Sequence, residues 1–321
     1  MSEETTAKTP KPPTRWSDTK ALVKPRITRM VMITAAIGFK LGWDVVGNGN
    51  GFQSFPFAIA IIGAGVACMG ASALNQWMEH DTDALMDRTK DRPVAAGRFS
   101  RAEALFSGLA LSILGCIMVA FSGISMKPWT NVGQIAWLSA ALTAFTVISY
   151  AWMYTPLKRR STLALLVGTI PGATPPMIGF AAAWELSGQP LADLLQQPGF
   201  WLPFLLMVVW QVPHFLAIAW LYREDYAKAK LAMLPVIDPS GERTFRQILI
   251  GCMLLLPIGL LPTVTHMSGK ISFVTALICG LAFLALGVRL VAAPTAKNAR
   301  ILFYASLIYL PLVLAAMMFK Q

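Results

Sequence analysis

Residues 55–74, FPFAIAIIGAGVACMGASAL, run without a charge, and residues 75–93, NQWMEHDTDALMDRTKDRP, follow them at once with charge of both signs. The first stretch is long enough to cross a bilayer, for which ~20 apolar residues suffice. The second holds five of the chain's sixteen carboxylates (Glu79, Asp81, Asp83, Asp87 and Asp91), together with Arg88, Lys90 and Arg92. Asn75, Glu79, Asp83 and Asp87 stand four residues apart. On an α-helix that spacing keeps them near one face, drifting by roughly 40° per step. Oxygen-bearing side chains so placed repel one another unless something positive sits among them. Oxygen donors suit Mg²⁺, which is usually held by one or two carboxylates and by a substrate's own phosphates. The bases that follow suit the remainder of a diphosphate. The plainer alternative is a solvated helix end whose acids pair with Arg88 and Lys90.

The 321 residues are 55% hydrophobic and 13% charged, against about 25% charged in a soluble domain. Stretches of membrane-spanning length recur near 27–47, 55–77, 102–122, 133–154, 162–183, 200–221, 246–265, 271–291 and 300–319. They predict an all-α, polytopic membrane helix bundle of nine transmembrane helices, the first the least clean. A large soluble α-protein would need far more polar surface.

The net charge of +11 is a topology signal and implies no nucleic-acid partner. All Lys and Arg except Lys40, Lys127, Lys270 and Lys320 fall in the N-terminal segment or in alternate loops. Positive charge collects on the cytoplasmic side. That rule places the N-terminus and the charged loops inside and, with nine spans, the C-terminus outside. Residues 1–23, polar and Pro-containing, are expected to be a disordered cytoplasmic tail, with one membrane domain over 24–321. No apolar core of a signal peptide is evident there. Cys68, Cys116, Cys252 and Cys279 lack paired spacing and suggest neither disulfide nor zinc.

Two further segments resemble the first in placement. WQVPHFLAIAWLYREDYAKAK (210–230) and YTPLKRRST (154–162) also run from an apolar helix into a charged loop on the same side. The opposite loops are bland, which favours one site opening toward the cytoplasm. IPGATPPMIGF (170–180) admits two readings: ordinary kinks, or the glycine-bearing wall of a cavity that a ligand approaches.

Asn75-x-x-x-Glu79-x-x-x-Asp83 resembles the first signature of the UbiA-type intramembrane prenyltransferases. More narrowly, KPRIT (24–28), the 75–93 segment, YTPLKRRST, GTIPGATPPMIGF (168–180), WQVPHFLAIAW (210–220) and DYAKAKLAMLPV (225–236) resemble, in order, the branch that farnesylates haem. The resemblance covers about Leu22 to the seventh span. It implies nine helices around a central cavity in a bacterial inner membrane, with farnesyl diphosphate and haem b as substrates and Mg²⁺ as cofactor. Haem A synthase or terminal-oxidase assembly proteins stand as candidate partners. By position, Asn75, Glu79 and Asp83, with Asp87 beside them, would hold magnesium and diphosphate. Arg88, Arg92, Lys158 and Arg159 would clamp the diphosphate.

Many members of the wider family carry a second Asp-rich motif where this chain has His214 and then Glu224-Asp225. Asp225 is expected to keep a second-site catalytic role. His214, inside a span, is either a hydrogen-bonded structural residue or a group that binds haem or moves a proton. Arg26, beside Pro25, would pair with a haem propionate or a lipid phosphate. Two alternatives stay open: a prenyltransferase acting on a quinone or chlorin precursor, and a secondary transporter.

Overall fold

The computed structural model describes residues 13–47, 51–123 and 135–320, and among these all regular structure is helical, with no strand. Helix α1 (Arg15–Val23) leads into α2 (Pro25–Val46), α3 (Ser54–Ala84) and α4 (Arg101–Phe121). α5 (Trp137–Ile148) continues through a π-helical stretch, Ser149–Tyr154, into the single turn α6 (Thr155–Leu157). Next come α7 (Ala164–Ala173), α8 (Pro175–Glu185), the short α9 (Leu191–Leu194) and α10 (Pro198–Leu221). α11 (Arg223–Lys228) and α12 (Leu234–Ile237) are brief, and α13 (Glu242–Val264), α14 (Lys270–Ala292) and α15 (Ala296–Ala316) are long.

Among the described residues, seven helical stretches are long and apolar enough to cross a membrane: α3, α4, the α7–α8 unit over 164–185, α10, α13, α14 and α15. The other two expected spans correspond to α2 and to the composite helix over 137–157. α2 carries Arg26, Arg29, Lys40 and Asp44, and the composite helix is broken by its π stretch. Pro156, which lacks the N–H that an α-helix would use there, lies just past that break.

The tail reading needs correction from Arg15 onward. Thr14 caps α1, its hydroxyl accepting from the Ser17 N–H at 3.2 Å. Arg98 holds both carboxylate oxygens of Asp18 at 3.0 Å. Leu22 joins a small core with Ala73, Val94, Phe99 and Ala104. Residues 1–12 lie outside the described residues.

α3 packs against α4, α2 against α8, and α10 lies among α7, α13 and α15. The interfaces are built on small residues, as is common where helices meet in lipid. A Cβ on Gly179 would come to 1.9 Å of the Ala35 carbonyl oxygen, so α2 and α8 touch backbone to backbone there. Gly172 likewise faces the Gln211 amide. These two glycines therefore serve helix packing, and the cavity-wall reading of 170–180 is not what they are used for. The opposite faces of α4 and α14 leave Phe106, Ile113, Val274 and Ile278 uncovered, as a lipid-facing surface requires.

Candidate functional site

The site sits where α3 runs out of its apolar stretch. Asn75, Glu79 and Asp83 share one face of α3 and are 2%, 7% and 1% exposed. Asn75 donates to Glu79 Oε2 at 2.7 Å. Lys158 donates to Glu79 Oε1 at 2.8 Å. Arg92 Nη1 reaches both oxygens of Asp83, at 2.8 and 2.7 Å. Lys24 completes the row by donating to Asn75 Oδ1 at 2.9 Å.

Each cation arrives from a different element. Lys24 is the hinge between α1 and α2, with a left-handed backbone (φ 47°, ψ 65°) that directs it back to α3. The residue before a proline is pushed out of the right-handed helical region, so Lys24-Pro25 makes a break there natural. Lys158 follows the π stretch, its carbonyl accepting from the Ala232 N–H at 2.8 Å. Its ammonium lies 4.3 Å from the centre of the Tyr154 ring. Arg92 stands in the loop after α3.

Burial and neighbouring charge shape how these lysines titrate. Burial first, and then the Arg92 guanidinium, lower Lys24 to about 7. Burial pulls Lys158 the same way, but the Glu79 carboxylate together with the nearby Tyr154 and Tyr150 hydroxyls outweighs it and holds the ammonium above its usual range.

Asp87 is not on this face. α3 ends at Ala84 and the chain turns, with Met86 N–H bonding the Asp83 carbonyl at 3.3 Å. The Asp87 carboxylate is 60% exposed and pairs with Lys228 at 2.6 Å and Lys90 at 2.8 Å. Those two lysines hold it down at about 2. The row of four residues read from spacing is therefore a row of three.

The remaining expected residues scatter. Arg159 pairs with exposed Asp81. Arg26 is exposed in the first turn of α2 and makes no hydrogen bond or ion pair among the described residues. Asp225 accepts from the Arg88 N–H at 3.3 Å, tying α11 to the loop after α3. Arg88 turns to aromatic rings: it donates to the Tyr226 hydroxyl at 3.1 Å and lies 4.9 Å from the Tyr222 ring centre.

His214 is buried in α10, stacked on Trp210 at 4.6 Å and packed on Phe303 at 5.1 Å. Its Nδ1 lies 2.6 Å from Ser306 Oγ. The one hydroxyl proton of Ser306 goes to the Phe303 carbonyl at 2.6 Å. Ser306 Oγ thus bridges the His214 ring and the backbone of α15, fixing the orientation of the imidazole. Sequence reasoning misses the roles of Ser306 and Lys24. Lys24 carries a local signal in its proline, whereas Ser306 lies 92 residues from His214 and carries none.

Among the described residues no three His, Cys, Asp or Glu side chains converge as a metal-binding group. Two carboxylates and an amide on one helix face fit an ion that completes its shell from a bound phosphate, as Mg²⁺ does. Charge is consistent with this: Lys158 and Arg92 match the two carboxylates, and Lys24, lowered to about 7, supplies a third positive charge when an anion is present to hold its proton.

A model of the UbiA prenyltransferase family matches residues 31–310. A protoheme IX farnesyltransferase of Solibacter usitatus is 40% identical over 94% of this chain and 97% of its own length. A solved structure of digeranylgeranylglyceryl phosphate synthase aligns with a TM-score of 0.71 at 14% identity, covering 94% of this chain and 97% of that one. A UbiA homologue from Archaeoglobus fulgidus, bound to GPP and Mg²⁺, aligns with a TM-score of 0.58 at 15% identity, covering 94% and 99%. At such identities the structures speak for the fold alone.

Proposed function

The chain belongs to the UbiA prenyltransferase family, and from that premise we propose that it transfers the farnesyl group of farnesyl diphosphate to a vinyl group of haem b, giving haem O. The carrying observation is the buried row of Asn75, Glu79 and Asp83 faced by Lys24, Lys158 and Arg92. The acceptor is supported by what the similar proteins are named. A secondary transporter or a quinone-directed enzyme has no comparable support.

The internal ion pairs hold the site's charges in place until substrate arrives. Lys158 and Arg92 would exchange carboxylates, and Lys24 the Asn75 amide oxygen, for diphosphate oxygens, and Glu79, Asp83 and Asn75 would turn to Mg²⁺. The ion would neutralise charge growing on the leaving diphosphate. The C–O bond to diphosphate breaks, the allylic carbon bonds the outer vinyl carbon, water adds at the inner one and a proton is released. The cations stabilise the departing oxygens, and the apolar helices keep water from the allylic cation before it meets the vinyl group.

We place this chemistry on the cytoplasmic face of a bacterial inner membrane. α2 and the composite helix over 137–157 would complete nine spans around a central cavity, with the N-terminus inside. Haem O would pass to a haem-modifying or oxidase-assembly partner. The purified protein should convert haem b to haem O only when given both farnesyl diphosphate and Mg²⁺. Failure of the complete mixture to yield the farnesylated haem by mass spectrometry would refute the assignment.

A further inference from the structure

A groove of about 190 Å³ opens between the end of α10 and the start of α15, lined by Arg88, Leu221, Tyr222, Arg300, Phe303 and Tyr304. Two features set it apart from an ordinary gap between helices. It brings together two guanidinium groups from distant parts of the chain, and among the described residues neither has a carboxylate partner. Its remaining walls are aromatic or aliphatic. Tyr222 and Tyr304 are 40% and 57% exposed, and the Arg88 guanidinium lies over the Tyr222 ring.

The groove has a direction. His214, Ile218, Leu221 and Tyr222 recur at helical spacing and share one face of α10. On α15, Phe303 borders the groove and also packs on His214. Phe303 thus joins the charged mouth to the buried stack of Trp210 and His214, which lies about two turns of helix further in. Arg300 and Ser306 are about 9 Å apart along α15 at ~1.5 Å per residue.

Resting on the reading that haem b is the acceptor, we infer that this groove docks the porphyrin, with its two carboxylates on Arg88 and Arg300. The fit is one of charge and of shape: a flat apolar ring bearing two anions at one edge meets two cations beside aromatic faces. The volume admits the carboxylate edge; beyond it the Trp210–Ser306 and His214–Ser306 contacts close α10 on α15, and the two helices would part to seat the ring. Arg88 belongs to the same loop as Arg92. Both substrates would thus keep their anionic ends at one membrane interface and send their apolar parts inward, where charge is costly.

The test is haem b binding, followed by absorbance, to full-length protein in nanodiscs without farnesyl diphosphate. Arg300→Gln should weaken haem b binding by about 10- to 100-fold, the worth of one charge-assisted hydrogen bond. In turnover assays the KM for farnesyl diphosphate should stay where it was. The dimethyl ester of haem b should bind the wild type weakly and be indifferent to the substitution. Arg88→Gln should act in the same direction. If Arg300→Gln binds haem b as tightly as the wild type, the groove is not the porphyrin site. The inference is equally overturned if the variant only loses retention of anionic phospholipid, since the groove is then a lipid site. Either result leaves haem O formation by the wild type intact, whereas failure of the functional assignment removes turnover in the wild type itself.

Discussion

Lys158 Nζ lies 2.8 Å from Glu79 Oε1, and the two side chains keep only 13% and 9% of their exposure. Removing one charge strands the other where water reaches it poorly, which costs about 3–5 kcal/mol, whereas replacing both partners is close to neutral. Lys158→Met and Glu79→Gln should each lower thermal stability by that order, and the double variant should regain most of it. Turnover should not return with stability. Thermal unfolding measured beside haem O formation separates the two effects, and a double variant as unstable as the sum of the singles would contradict the pairing.

Asp83 and Asp87 make a matched contrast. Asp83 is buried and gripped by Arg92, while Asp87 is exposed and held by Lys90 and Lys228. EDTA should abolish activity and Mg²⁺ should restore it. Asp83→Asn should reduce kcat by about 10²–10³, the scale seen when one preorganised electrostatic group is lost. Asp87→Asn should leave the Mg²⁺ concentration for half-maximal activity unchanged. A shift in that concentration for Asp87→Asn would mean the turn after α3 closes onto the metal.

The contrast also marks how far the sequence carries. Spacing alone identifies the face of Asn75, Glu79 and Asp83, because a regular helix turns a four-residue repeat into a surface. It fails at Asp87 because nothing between Ala84 and Met86, neither Gly nor Pro, announces the end of the helix. Lys24 depends on one left-handed backbone conformation, and Ser306 on a contact between α10 and α15. The helix over 15–23 escapes a composition argument because tertiary contacts stabilise it: Asp18 to Arg98 and Arg15 to Glu103.

Gly179 is where α2 and α8 meet most closely. A methyl group there would sit 1.9 Å from the Ala35 carbonyl oxygen, and the obstacle is backbone, which cannot rotate away. Gly179→Ala should therefore cost at least the roughly 1–3 kcal/mol typical of an overpacked core. The loss should appear as a lower unfolding temperature in detergent. An unchanged unfolding temperature would show that α2 and α8 do not pack as described.

Lys24 gives the site a pH signature. In the folded, ligand-free chain it titrates at about 7, against an ordinary 10.5, because of burial and then the nearby Arg92 charge. Between those two values the unfolded chain still holds a proton that the folded chain has released. Stability contributed by this group therefore rises with pH across that window. Lys24→Met removes the titration while other groups stay as they are. In EDTA, the wild type should gain in unfolding temperature relative to Lys24→Met as pH rises from about 7 toward 10. A constant difference across that range would mean Lys24 is not held among Asn75, Arg92 and Lys158 in the folded protein.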